Sequence, residues 1–97
     1  MNNQVDIWKA DEEILEIFAL RVKEKRLKNK LSQTALAKET GISVRTIRNI
    51  ENANSFNFMN FIKLVRFFSE LDKLDGVFKI EDLTPEEQFM ARHSEKN

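Results

Sequence analysis

Arg45, Arg48, Asn49 and Asn52 lie three, one and three residues apart within the segment Ser43 to Asn52, and the segment's only acid is Glu51. On a helix turning about 100° per residue, these four fall on one side together with Val44, while Ser43, Thr46, Ile47 and Ile50 fall on the other. The chemistry such a face can do is recognition. A guanidinium can bridge N7 and O6 of guanine, a carboxamide can pair with adenine, and a valine can touch a thymine methyl, in a major groove wide enough to admit a helix. A helix N-terminus at Ser43 adds free N–H groups suited to a phosphate. An isolated helix with these residues would most often be an ordinary solvated face, so the reading depends on what holds the helix in place.

Catalytic chemistry has little to work with. The chain has no cysteine, which removes thiolate catalysis, disulfides and the usual structural zinc sites together. The single histidine, His93, sits in a polar C-terminal stretch. The acid pairs Glu12/Glu13 and Glu86/Glu87 are sequence neighbours, better suited to helix starts than to acid–base work. No glycine-rich loop could cradle a phosphate. The expectation is a protein that is not an enzyme and needs no cofactor or metal.

The elements that must position the polar face can be read from caps and periodicity. Helix 1 is expected to start near Asp11, whose carboxylate can cap it. Ile14, Ile17, Phe18 and Val22 form its apolar stripe, and the helix ends near Asn29. Ser32 can cap helix 2, about Gln33 to Thr40, and Gly41 can take the left-handed conformation that ends a helix. Ser43 then caps helix 3, running to about Asn52, and Asn57 caps helix 4, from Phe58 to about Leu74. In "LTPEEQF", Thr84 is a cap, Pro85 the first helical residue and Glu87 the closing member of a capping box. Val77 to Ile80 is too short to assign. Few obligatory turn residues, two glycines and one proline, agree with an all-α bundle of about five helices.

With 97 residues, 41% hydrophobic and 33% charged, the chain fits one globular domain. The formal net charge is zero, which speaks against a generic polycation. The distribution is uneven. Residues 21–50 carry nine Lys/Arg against Glu24 and Glu39, a net +7, flanked by acidic segments of −4 (residues 1–20) and −3 (residues 51–97). No apolar run approaches the roughly 20 residues needed to span a bilayer. The start "MNNQVDIWKA" lacks the basic and apolar regions of a secretory signal. The expected location is the cytoplasm, with no membrane contact.

Leu36, Ala37, Gly41, Ile42, Ile47 and Ile50 specify a tight helix–turn–helix that would hold helix 3 proud of the surface. The whole stretch "LSQTALAKETGISVRTIRNIEN" resembles the pattern L-[ST]-Q-x-x-L-A-x-x-x-G-[IV]-S-x-x-T-[IL]-x-x-[IL]-E of the lambda-repressor/Cro-type (XRE) helix-turn-helix family. "RVKEKRLKNK" resembles that family's first helix and "NFMNFIKLVRFF" its fourth, so the resemblance covers roughly residues 12–75. It implies a five-helix lambda-repressor-like DNA-binding domain over residues 11–75, with residues 1–10 as an N-terminal arm and 76–97 as a packing or dimerisation extension. It also implies double-stranded DNA as partner. Gln33 and Ser43 would bond phosphate; Val44, Arg45 and Asn49 would read bases. Arg48, Asn52, Ser55 and Asn57 would contact phosphate, and Arg26 with Glu51 would form a structural ion pair. The family often has glycine where this chain has Lys30 and Ala53, and Asn29 and Asn52 are expected to take the turn conformations instead.

Helix 4 is apolar on two sides. Phe58, Phe61, Ile62, Val65 and Phe68 form one stripe, and Leu64, Phe67, Leu71 and Leu74 form another. The second stripe is either covered by Val77, Phe78, Ile80, Leu83 and Phe89 or forms a homodimer seam. Two functions follow. One is a sequence-specific transcriptional regulator, a homodimeric repressor that inserts helix 3 in the major groove. The other is an antitoxin or adaptor that binds a protein partner through helix 4 and the C-terminal half. Small bacterial regulators of this family are sometimes found beside a toxin kinase, and the two functions can coexist.

Overall fold

A computed structural model describes residues 4–54 and 56–94. Among these residues there are five α-helices and no strand: α1 (Asp11–Lys28), α2 (Gln33–Thr40), α3 (Val44–Glu51), α4 (Phe58–Phe67) and α5 (Pro85–His93), with one 3₁₀ helix, Leu71–Leu74, after α4. The all-α expectation stands. Side-chain caps start four of the five: Ser32 accepts from the Ala35 N–H, Ser43 from Thr46, Asn57 from Asn60 and Thr84 from Glu87. Glu87 closes the box by accepting the Thr84 N–H at 3.0 Å, which holds its carboxyl below the usual range. Helix α1 differs from expectation. Its cap is Ala10, not Asp11, and Glu13 accepts the Ala10 N–H at 2.9 Å, so half a capping box does the work.

Burial of one face of each of α1 to α4 builds the core. Leu36, Ile47, Ile50 and Leu64 are fully buried, joined by Val22, Ala37 and Ile42, with Leu31, Val44, Phe56, Phe67 and Phe68 packed around them. Each such side chain removed from water contributes about 1.5–3 kcal/mol before conformational entropy is subtracted. Gly41 takes φ +76, and a Cβ there would meet nothing within 4 Å. The residue is therefore needed for its left-handed backbone; the small residue buried in the core is Ala37, 7% exposed.

Three helices end in the same hydrogen-bond pattern without glycine. Lys30, Ala53 and Ser69 sit at φ +58, +58 and +62. In each case the left-handed N–H bonds back three residues and the next N–H bonds back five: Leu31 to the Arg26 carbonyl, Asn54 to Asn49 and Glu70 to Val65. The expectation that Asn29 and Asn52 would take this conformation is corrected, because they close the helices at φ −87 and −89 and the strain passes one residue on. Ser69 also ends α4 at Phe67, short of the expected Leu74. Lys25 and Lys73 both pair with Glu70 just beyond the break, tying the end of α4 to α1.

These endings split the expected second stripe of helix 4 between α4 and the 3₁₀ helix. Leu64 is 1% exposed and belongs to the core, and Phe67 packs against it, edge-to-face with Phe68 at 5.1 Å. Leu71 and Leu74 lie in the 3₁₀ helix, off the α4 register. The covering segment is not in place. Val77, Phe78, Ile80 and Phe89 are exposed, Phe78 at 97%, and Leu83 is half-buried.

One buried ion pair fixes how α3 stands. Arg26 donates from Nε and one terminal nitrogen to the two carboxylate oxygens of Glu51 at 2.7 and 2.9 Å, and from the other nitrogen to the Leu31 carbonyl at 2.9 Å. Its side chain is 9% exposed and that of Glu51 3%. The hydrogen bonds to Glu51 raise the guanidinium pKa against the opposing effect of burial.

Three outcomes are expected. Ala53→Gly relieves a left-handed alanine and stabilises by about 1 kcal/mol, read as a rise of about 4–8 °C in melting temperature for a domain this small. Arg26→Ala leaves Glu51 buried and unpaired, at about 3–5 kcal/mol in denaturant unfolding. Glu70 titrates below its ordinary value because Lys25 and then Lys73 hydrogen-bond its charged form. Its folded pKa lies below the unfolded one, so its contribution is complete at neutral pH. It is lost as pH falls from about 4.3 through the folded value. Thermal melts of Glu70→Gln should therefore lie below wild type at pH 7 and converge with it as pH falls below the folded value.

Candidate nucleic-acid interface

The face of α3 that could read a base is set by three attachments. Ser43 caps the start, Ile47 and Ile50 anchor the inner side at 0% and 1% exposure, and Glu51 locks the end to Arg26. Arg45, Arg48 and Asn52 are left exposed, and Asn49 is half-buried beside them. The one acid of the helix, Glu51, points inward and is neutralised. The outward face thus carries two guanidinium groups and carboxamides with no carboxylate among them.

The remaining residues of the expected site are placed as follows. Val44 is half-buried against the core, so only part of its side chain faces outward. The Gln33 amide donates to the Glu51 carboxylate at 3.1 Å, which couples the first residue of α2 to the end of α3. The Ser43 hydroxyl accepts the Thr46 N–H at 3.1 Å and donates to the Thr46 hydroxyl at 2.9 Å. Asn57 caps α4 through its side-chain oxygen, accepting from the Asn60 N–H at 3.0 Å. Ser55 lies outside the described residues.

Thr46 belongs with these residues, although the helical wheel puts it on the inner side. Its hydroxyl meets Ser43 at the helix start, and an Ser-x-x-Thr spacing at a cap was the signal that could have found it. Arg26 and Glu51 are joined as expected. Leu31 was not foreseen as a participant, since its contribution is a backbone carbonyl that no side-chain pattern reveals. Among the described residues, no group of three or more His, Cys, Asp or Glu is placed to hold a metal ion. Among these same described residues, no helix is long and apolar enough to cross a membrane.

A capped, rigid helix that presents an acid-free polar face after a glycine turn is the arrangement by which a helix-turn-helix enters a groove. The sequence pattern of a family described as helix-turn-helix matches residues 22–73, more than half of the chain. No curated protein and no solved structure matches it. The matched segment starts at Val22 in α1 and ends in the 3₁₀ helix, so it includes both partners of the buried ion pair and the whole of α2, α3 and α4. The chain therefore belongs to the helix-turn-helix family of lambda-repressor/Cro type, a family of DNA-binding regulators.

Proposed function

We propose that this chain is a sequence-specific transcriptional repressor that acts in the cytoplasm on double-stranded DNA, as a homodimer, with α3 in the major groove. The observation that carries the reading is the acid-free face of α3, held by a buried Arg26–Glu51 pair that removes the helix's own carboxylate from the surface. Arg45 and Asn49 take the base-reading positions, with Val44 contributing what its half-buried side chain exposes. Arg48 and Asn52 take phosphate positions, and Gln33, Ser43 and Asn57 mark the helix starts that face the backbone. Ser55 is assigned to phosphate from the sequence pattern. Two copies would engage two half-sites about one helical turn apart, doubling the phosphate contacts.

The test is fluorescence anisotropy with duplex DNA from the region upstream of the protein's own gene, against scrambled duplex, across a salt series. Preferential binding to the native fragment is expected, with log affinity falling linearly in log salt. Arg45→Ala should weaken it by about 1–3 kcal/mol and relax the preference between duplexes. Arg48→Ala should weaken both duplexes alike and reduce the salt slope by about one. Equal, weak binding of wild type to both duplexes at moderate salt would overturn the reading.

A further inference from the structure

Helices α1 and α4 leave an open apolar groove of about 870 Å³ between them, floored by Phe18, Phe61, Leu64, Val65, Phe68 and Leu74. Its rim carries Arg21, Lys25, Lys28 and Lys73 against Glu24 and Glu70, a net positive edge. None of the residues of α2 or α3 lines it. The same chain carries an apolar arm in which no described residue is fully buried and Phe89 stacks on His93 of its own helix at 4.2 Å. Beyond Val77 the chain exposes Phe78, Ile80, Phe89 and Met90, and no residue of α5 is buried. Residues 81–94 hold Glu81, Asp82, Glu86 and Glu87 against Arg92, so the arm is acidic where the groove edge is basic. On α5, Phe89 and Met90 flank Glu86 on one side at helical spacing, which would set the two apolar side chains on the floor and the carboxylate at the rim.

We infer that the groove between α1 and α4 is filled by the C-terminal arm of a second copy of this chain, each copy giving its arm to the other. The take-off of the arm favours the partner's groove over its own. Leu74 and Val77 line the groove themselves, and the chain then turns sharply. Val77 bonds back to the Leu74 carbonyl at 3.1 Å, Lys79 bonds back to Gly76 and pairs with Asp75 at 3.0 Å, and Phe78 is held at φ +63. The arm departs from the body after this turn. The radius of gyration is 16.6 Å, against about 12.5 Å for a compact domain of this length. A reciprocal exchange is self-complementary and closes after two copies, as twofold symmetry requires. It deepens the two-copy reading above, on which it rests for its role on paired half-sites, but assembly itself is measured without DNA.

The chain's lack of cysteine makes the test clean. Val65→Cys places a thiol in the groove and Met90→Cys one on the arm. Under oxidation, a mixture of the two single variants should give a disulfide-linked mixed dimer, and the double variant a covalent species of twice the chain mass. Light scattering should give a dimer for wild type and a monomer for Phe89→Glu/Met90→Glu. Circular dichroism should show the helices retained, because α5 contributes nothing to the core. A bond formed within one chain, a monomeric wild type, or a dimer that survives the double glutamate substitution would each overturn the exchange. The last result would leave the groove open to a different protein. The monomeric variant keeps the α3 face, so it should still bind DNA but with at least tenfold weaker apparent affinity. If wild type assembles by exchange yet shows no DNA preference, the function fails and the exchange stands.

Discussion

The bidentate contact between Arg26 and Glu51 constrains three helices at once. Arg26 sits near the end of α1, its third nitrogen closes on the Leu31 carbonyl just ahead of α2, and Glu51 is the last residue of α3. Gln33 adds a further donor to the same carboxylate, so the start of α2 and the end of α3 share one acceptor. Two charges this deep cost several kcal/mol each to desolvate, and their attraction repays this only with good geometry and added hydrogen bonds. The four bonds present meet that condition. The net gain is better described as orientation than as stability. An apolar pair could hold α3 to α1 but would tolerate rotation, whereas a planar fork on a carboxylate does not. A helix that must bring Arg45 and Asn49 to particular atoms has use for that difference.

The turns complete the constraint, and here backbone hydrogen bonding overrides residue preference. Lys30, Ala53 and Ser69 adopt a conformation that costs an L-residue about 1 kcal/mol or more. Each does so because the two return bonds satisfy carbonyls that the end of a helix would otherwise leave open. At Lys30 the return bond from Leu31 lands on Arg26, the residue that also holds Glu51. The strained turn and the ion pair therefore position each other. At Ser69 the same turn brings Glu70 against Lys25 and Lys73, fastening α4 to α1 from its far end.

How much of this was legible follows from which information is local. Ser32, Ser43, Asn57 and Thr84 announced four helix starts because a side-chain cap is an interaction over three residues. Gly41 announced the turn because only glycine takes φ +76 without strain. Arg26 and Glu51, 25 residues apart, could be paired only by likeness to a family pattern. The end of α4 was hidden because "FFSELDKL" continues an apolar rhythm through Ser69, and a serine in the left-handed region has no sequence mark. Leu64 was assigned to an outer seam because α4 has two apolar sides and periodicity cannot say which faces inward. On α3 the opposite side is plainly polar, so Ile47 and Ile50 are legible as inward and Arg45, Arg48 and Asn52 as outward, whereas Val44 and Asn49 are half-buried on the outer side and Ser43 is exposed on the inner one.

The two apolar sides of α4 also explain why this small chain has surface left to cover. A domain of this size buries a smaller fraction of its surface than a larger one. Here no described residue of the arm after Val77 is fully buried, and Leu83 alone among them is half-buried. Phe18 and Phe61 meet edge-to-face at 5.8 Å, and Arg21 stands over the Phe18 ring at 5.4 Å, so the groove has a formed floor rather than a collapsed one. Its basic rim and the acidic arm lie on the same chain, and the segments flanking the +7 stretch are the acidic ones. Pairing arm with groove would place the acid of residues 81–94 against the basic edge of α1. The α3 face, outside the groove, would remain the uncompensated positive surface. Assembly and DNA recognition would then depend on separate faces of one small core, with the buried ion pair setting the angle between them.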